Sequence, residues 1–247
     1  MTFARTAIET TDIENNIDVD VNRSYSSFGV RIVRNAVNIE DIECLNYLQN
    51  YLEPQRGHDF TAKYFPRKNL DQAGKLAIWW SQQLTGWECA KSINHSLLEI
   101  TKDWFDNNVV YVCDVITNEP GNQFVKPHID TPHRFDPWHE TFDLLGVQCI
   151  VPLCEFDKLN GGTGLYPGSH LRNWIVQDSY RGVYTEEFLA NVVQPEMSPG
   201  DVLIYNPRVL HSTMPNNTDI QRRALLTHIT TKEMVAKLKL VDNIWLE

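Results

Sequence analysis

The chain has 247 residues, 42% of them hydrophobic, and a formal net charge of −10 at pH 7. This length fits one large domain or two small ones, and the apolar content is enough for a sizeable core. An acidic chain lacks the clustered positive charge that binds nucleic acid or an anionic membrane surface, so we expect neither partner. The five cysteines form no C-x-x-C pair and the N-terminus has no secretory signal pattern, so we expect a reduced, cytoplasmic protein.

The first half of the chain is predicted to be mostly helical. Residues 1–22 are polar and acidic without periodicity, which predicts a loose N-terminal arm. Residues 28–33 alternate apolar and polar side chains and predict a short strand. Apolar residues then recur at helical spacing in three segments, residues 39–52, about 70–83 and about 90–105.

The second half of the chain consists of short β-type runs separated by turn residues. The predicted strands are residues 109–116, 146–153, 201–205 and 223–230. Residues 232–240 fit either a closing helix or a strand edge. Helices followed by many short strands predict a mainly β barrel or sandwich with an N-terminal helical buttress. We expect a single domain over residues 1–247, with support in 23–108 and the barrel core in 109–230.

Two side chains that can bind a metal, His128 and Asp130, lie one residue apart. In an extended backbone, residues i and i+2 point to the same side. A histidine and an aspartate aimed at one point are two-thirds of the facial two-His, one-carboxylate site of non-haem Fe(II) oxygenases. The short motif alone is more simply explained as a strand end with a hydrogen-bonded histidine, so a third ligand must come from elsewhere in the chain.

His211 is the best third ligand among the eight histidines, because it ends an apolar run and precedes a turn sequence at residues 215–218. That turn predicts a hairpin in which His211 lies opposite Arg222. One side chain of the Arg222–Arg223 pair should then point into the barrel beside His211. A buried arginine needs an anion, and its planar fork suits a carboxylate.

Taken together, these segments resemble the phytanoyl-CoA hydroxylase-like family of Fe(II)- and 2-oxoglutarate-dependent oxygenases. The resemblance covers roughly residues 25–230. The matching segments are residues 28–35, His128-Ile129-Asp130, residues 160–170, residues 199–204, and His211 with Arg222. The resemblance implies a double-stranded β-helix, which is a jelly-roll barrel of the cupin type, with flanking helices.

The resemblance also implies roles for individual residues. Fe(II) is expected on His128, Asp130 and His211, with 2-oxoglutarate and O2 as co-substrates. The far carboxylate of 2-oxoglutarate would meet Arg222 and accept a hydrogen bond from Thr213. Related halogenases carry a small residue at the carboxylate position. Asp130 therefore favours hydroxylation, or another plain oxidation such as desaturation.

The polar segment after Asp130 is expected to line the substrate pocket. Its candidate substrate contacts are His133, Arg134, Trp138 and His139. A CoA thioester carries several phosphate charges and usually meets a basic surface. The segment has one arginine against two acidic residues, and the chain has a net charge of −10, although Lys63, Arg67 and Lys68 form another basic group. This balance predicts a small free metabolite, such as an amino acid, as the substrate.

Two other classes of function remain open from the residues. One is a metal-binding, cupin-type isomerase that uses the same barrel and ligands. The other is a non-catalytic jelly roll that binds a small molecule. The first has no need for Arg222 and Thr213, and the second is expected to have lost a ligand or the arginine. The sequence therefore favours the dioxygenase.

Overall fold

The computed structural model describes residues 28–52, 76–79, 88–130 and 143–239. The predicted arm at residues 1–22 lies outside the described residues, so one domain over the whole chain stays a prediction. The elements, in chain order, are β1 (Val30–Val33), α1 (Ile39–Leu52), β2 (Leu76–Trp79), α2 (Glu88–Thr101), β3 (Asn108–Asn118), β4 (Gly146–Pro152), β5 (Thr163–Leu165), α3 (Val176–Arg181), α4 (Thr185–Leu189), β6 (Val202–Tyr205), β7 (His211–Thr213), β8 (Arg222–Thr231) and α5 (Lys232–Lys237). In these parts of the chain, every helix is too short or too polar to cross a membrane.

Two antiparallel sheets form the barrel. One has six strands in the order β1-β6-β4-β8-β3-β2, and the other pairs β5 with β7. Single bridges widen the small sheet on both sides, from His211 to His128 and from Leu165 to Val193. Leu165 of the small sheet packs with Leu203 of the large sheet in one apolar interior. This arrangement is the predicted double-stranded β-helix, so the fold prediction is confirmed.

Helices α1 and α2 cover the outer face of the large sheet and are the predicted buttress. Leu45 of α1 and Ile93 of α2 join one buried cluster with Leu225 of β8. The next residue towards the N-terminus, Ala224, belongs instead to the cluster inside the barrel. The period-two alternation of β8 therefore separates a face that supports the fold from a face that lines the interior.

The structure corrects one predicted helix and adjusts two other elements. A helix is predicted at about residues 70–83, but the described part of that segment, Leu76–Trp79, is β2, which pairs antiparallel with β3 at the edge of the large sheet. A sheet partner far away in sequence thus outweighs local helical spacing. Helix α2 ends at Thr101, because a turn follows in which the Trp104 amide donates to the Thr101 carbonyl at 3.0 Å. Residues 232–237 form a helix, which the Thr231 side chain caps.

The predicted hairpin between His211 and Arg222 is wrong. Strand β7 pairs with β5, and Leu165 lies opposite His211. Strand β8 pairs with β3 and β4 in the other sheet. The turn at residues 215–218 therefore carries the chain from one sheet to the other. Such crossings let the apolar faces of both sheets bury each other, and turn residues do not distinguish a crossing from a hairpin.

Candidate functional site

Three side chains that can ligate a metal converge on the inner face of the small sheet. One ligand atom from each of His128, Asp130 and His211 lies within 4.8 Å of the other two. His128 and His211 are cross-strand neighbours, and each donates its amide to the carbonyl of the other, at 2.9 and 3.1 Å. The Asp130 amide donates to the Pro207 carbonyl at 2.8 Å. These backbone bonds hold the segment extended, so His128 and Asp130 share one face.

Ile129, between the two potential ligands, points the other way. It is fully buried in a separate apolar cluster with Trp174, Phe188 and Leu210. A slip of one residue would move Ile129 into the polar site and the two potential ligands into the apolar cluster. Burial of Ile129 therefore helps to set the register of the site.

Backbone carbonyls set the tautomer of both histidines. Nδ1 of His128 lies 2.9 Å from the Lys126 carbonyl, and Nδ1 of His211 lies 2.9 Å from the Val209 carbonyl. A carbonyl oxygen only accepts, so each Nδ1 carries the proton and each Nε2 keeps its lone pair. The Nε2 atoms of His128 and His211 lie 3.8 and 3.1 Å from the Asp130 carboxylate oxygens. This is the protonation and orientation that metal binding requires.

The site also favours an ionised aspartate. Burial acts to raise the pKa of Asp130, but His211, His128 and His228, in their protonated forms, attract the carboxylate and lower that pKa well below its usual range. The ring centre of Tyr205 lies 4.8 Å from that of His211, and the pKa of Tyr205 shifts in the opposite direction from that of Asp130. Burial, with the Asp130 charge, raises the pKa of the Tyr205 phenol well above its usual value. One carboxylate with two oriented imidazoles is a donor set suited to Fe(II).

Arg222 forms a second polar site inside the barrel. It is 2% exposed, and its Nε and Nη2 donate to the Gly161 carbonyl at 3.0 and 2.7 Å. Its guanidinium carbon lies 4.9 Å from the centre of the Phe156 ring, and burial lowers the pKa of Arg222 to about 10. Within the described residues, no carboxylate lies within ion-pair distance of Arg222. A buried cation held by a neutral carbonyl favours an anionic guest.

Strand alternation separates the two adjacent arginines. Arg223 is half-buried and donates from Nη1 to the Asn50 side chain at 2.6 Å, on the helix side of the sheet. Only Arg222 therefore lies inside the barrel, although the hairpin used to predict this does not exist.

Thr213 lies at the same end of the barrel as Arg222. It follows His211 by two residues on β7 and shares its face, whereas the Ser212 hydroxyl between them donates to the Val125 carbonyl. The next residue, Met214, offers its carbonyl to the Asn118 amide, which also donates to the Gly161 carbonyl, both at 3.1 Å. Because the Gly161 carbonyl also accepts from Arg222, these contacts connect Met214, the neighbour of Thr213, with the arginine.

Gly161 is a further component of the site, and the sequence indicated only that it lies in the matching segment 160–170. Its φ is +77°, a conformation that side chains strain. A Cβ at this position would lie 2.2 Å from the Asn118 amide nitrogen and 2.6 Å from the Met214 carbonyl. Gly161 therefore allows the close approach that places its carbonyl under Arg222.

Three buried side chains near the triad were also not singled out from sequence. Gln148 of β4 lies opposite Tyr205 of β6 on one side and His228 of β8 on the other. They form a polar row across the barrel interior, with 0% of Gln148 and 8% of His228 exposed. His228 was one of eight candidate histidines, but only the strand register places it beside Asp130.

Arg208 supports the chain just before β7. It is fully buried, and it donates to the carbonyls of His170 and Arg172 at 3.2 and 2.7 Å. His170 is itself buried beside Gly29. The predicted substrate contacts His133, Arg134, Trp138 and His139 lie outside the described residues.

A jelly-roll barrel with a two-His, one-carboxylate group on its inner face is the architecture of non-haem iron oxygenases. The model of the phytanoyl-CoA dioxygenase (PhyH) family matches residues 77–224. The chain belongs to this family.

Relatives with assigned activities match part of the chain. The multifunctional dioxygenase ausE of Penicillium brasilianum is 32% identical over 126 residues, which cover 49% of this chain and 40% of ausE. The dioxygenase trt7 of Aspergillus terreus is 35% identical over 81 residues, 33% of this chain and 26% of trt7. The matched region thus spans less than half the length of these relatives.

Two solved structures share the fold. The non-heme alpha ketoglutarate dependent epimerase SnoN from nogalamycin biosynthesis superposes with a TM-score of 0.64 at 15% identity, over 90% of this chain and 82% of SnoN. The carbocyclase SnoK from the same biosynthesis is also non-heme and alpha ketoglutarate dependent. It superposes with a TM-score of 0.60 at 16% identity, over 88% of this chain and 85% of SnoK.

Replacement of Gly161 by alanine tests the close approach beneath Arg222. Gly161→Ala should lower the free energy of unfolding by about 2 kcal/mol or more, because the new Cβ meets backbone and the φ is unfavourable. Gly162→Ala is the matched control, since its Cβ would meet neighbours only at 3.4 Å or more. Urea unfolding of both variants provides the comparison. Equal free energies of unfolding for the two variants would contradict the close approach of Gly161 to its neighbours.

Proposed function

We propose that this chain is an Fe(II)- and 2-oxoglutarate-dependent dioxygenase that hydroxylates a small molecule and releases succinate and CO2. One observation carries the proposal: the barrel interior contains both the oriented His128–Asp130–His211 group and the buried Arg222. Among the described residues, this arginine has no carboxylate partner. Membership of the phytanoyl-CoA dioxygenase family supports the same reaction class.

The triad would hold Fe(II) through Nε2 of His128, Nε2 of His211 and the Asp130 carboxylate. Bound iron, together with 2-oxoglutarate and O2, supplies the oxidising chemistry. The chain contributes orientation, because the Lys126 and Val209 carbonyls restrain rotation of the two imidazole rings. It also contributes a buried surrounding, in which Tyr205 stays protonated beside the carboxylate.

Arg222 would bind the far carboxylate of 2-oxoglutarate, and the Thr213 hydroxyl would donate to the same group. Among the described residues, the guanidinium donates from Nε and Nη2 to Gly161 alone, which leaves its other N–H groups for a charge-assisted bond. A cupin-type isomerase has no reason to bury such a cation. This difference favours the dioxygenase over the other jelly-roll functions.

Hydroxylation is the proposed outcome because Asp130 occupies the position at which related halogenases carry a small residue. The structural neighbours SnoN and SnoK are named as an epimerase and a carbocyclase, so the fold also accompanies other oxidative outcomes. We further propose a small free metabolite as substrate, contacted by His133, Arg134, Trp138 and His139.

Loss of a histidine ligand should remove iron binding without unfolding the protein. We expect His211→Ala to weaken Fe(II) binding at least ~100-fold in anaerobic titration, because one of three protein ligands is lost. His95→Ala, on the exposed face of α2, is the control and should bind iron like the parent. Circular dichroism checks the fold of both variants. Unaltered iron binding by His211→Ala would exclude the proposed centre.

The two adjacent arginines should differ sharply in their effect on the co-substrate. Arg222→Ala should raise the apparent KM for 2-oxoglutarate about 100-fold or more, because a buried charge-assisted pair is lost. Arg223→Ala should leave this KM within about twofold, since that side chain contacts Asn50 outside the barrel. The assay is iron-dependent succinate formation. A larger effect from Arg223→Ala would show that Arg222 does not bind 2-oxoglutarate.

The substrate class is tested by comparing a panel of free acids with their CoA esters. The anaerobic iron and 2-oxoglutarate complex has a metal-to-ligand absorption band that reports substrate entry. We expect band shifts with free metabolites and little response to CoA esters, because a chain with a net charge of −10 repels the CoA phosphates. Tighter binding of a CoA ester, weakened by salt, would overturn this prediction.

A further inference from the structure

Two cysteines face each other between the buttress helices, on the opposite side of the large sheet from the triad. The Ser92 hydroxyl of α2 donates to the Asp41 carboxylate of α1 at 2.7 Å. Cys44 comes three residues after Asp41, and Cys89 comes three residues before Ser92. Asn50, near the end of α1, contacts Arg223 at the start of β8, whereas Asn94 of α2 contacts Thr227, further along β8. Because Asp41 also contacts Ser92, the two helices run antiparallel, and Cys44 lies opposite Cys89. Helix packing thus creates a pair that the sequence separation hides.

The two thiols differ in access to solvent. Cys44 is exposed, whereas Cys89 is 5% exposed and belongs to the apolar cluster beneath the helices. Burial, then the hydrogen bond and the charge of Cys44, raise the pKa of the Cys89 thiol to about 12. A reagent in solution therefore meets Cys44 first, whereas burial shields Cys89 from the reagent.

We propose that Cys44 and Cys89 are a disulfide-forming pair that small-molecule disulfides, such as oxidised glutathione, convert to a helix-to-helix crosslink. Cys44 Sγ loses its proton to solvent and attacks one sulfur of the reagent, which forms a mixed disulfide and releases one glutathione thiolate. Cys89 Sγ then loses its proton to solvent and attacks Cys44 Sγ, which breaks the mixed disulfide and releases the second glutathione thiolate. Two protein thiols are oxidised and one glutathione disulfide is reduced to two thiols.

The crosslink joins α1 to α2 and closes a loop that contains β2, an edge strand of the large sheet. A closed loop has less conformational freedom when unfolded, so the oxidised protein should melt at a higher temperature than the reduced protein. The other cysteines provide internal controls. Cys113 and Cys149 are fully buried, and Cys154 is half-buried and accepts the Arg223 amide at 3.3 Å.

Mass mapping of the full chain tests the pair. The reduced protein is incubated with graded ratios of oxidised to reduced glutathione, free thiols are alkylated, and peptides are analysed. We expect Cys44 and Cys89 to lose alkylation together, to appear as one crosslinked peptide with a mass about 2 Da below the two thiol peptides, and to be restored by dithiothreitol. Cys154→Ser should behave like the parent.

Single replacements distinguish the two roles. Cys89→Ser should stop at a glutathione adduct on Cys44, and Cys44→Ser should leave Cys89 unmodified in the folded protein. A parent protein that stops at the Cys44 adduct, or equal modification of Cys89 with and without Cys44, would overturn the proposal. None of these measurements depends on iron or 2-oxoglutarate.

Discussion

The reciprocal backbone pair between His128 and His211 is the interaction on which the candidate site depends. Each residue donates its amide to the carbonyl of the other, so two segments far apart in sequence are joined directly at the two potential ligands. Strand alternation then brings Asp130 to the same face without a further contact. The bonds from each Nδ1 to a nearby carbonyl complete the arrangement, because they orient the rings and leave both Nε2 lone pairs available.

The same barrel interior presents two sites of opposite electrostatic preference. The triad is anionic through Asp130 and suits a metal cation, whereas Arg222 is a buried cation that suits an anion. The two sites come from different sheets. His211 lies on β7 of the small sheet, and His128 and Asp130 lie on the segment bridged to it, whereas Arg222 lies on β8 of the large sheet. A dicarboxylic ligand that binds a metal at one end would complement both sites, and this pairing is the physical basis of the proposed function.

The local sequence pattern around Arg222 predicts which way its side chain faces, but it does not predict the partner of its strand. Period-two alternation predicts that only one of two adjacent arginines faces inward, and burial of Arg222 with contact of Arg223 to Asn50 agrees with this. The strand partner was wrong, because a turn sequence predicts a change of direction but not which sheet the next strand joins. The helix predicted at about residues 70–83 is wrong at β2 for a similar reason. This strand forms because it pairs with the distant strand β3, which its own periodicity does not indicate.

From the sequence alone came the potential ligands, the arginine, the helical buttress and the jelly-roll class, because each rests on local spacing or on short motifs. Tertiary structure alone decided which strands pair, that the Gly161 carbonyl lies under Arg222, and that Gln148 joins Tyr205 and His228 in one row. It also placed Cys44 against Cys89. These features are contacts between segments distant in sequence, and such contacts follow from packing two sheets and two helices around shared apolar interiors.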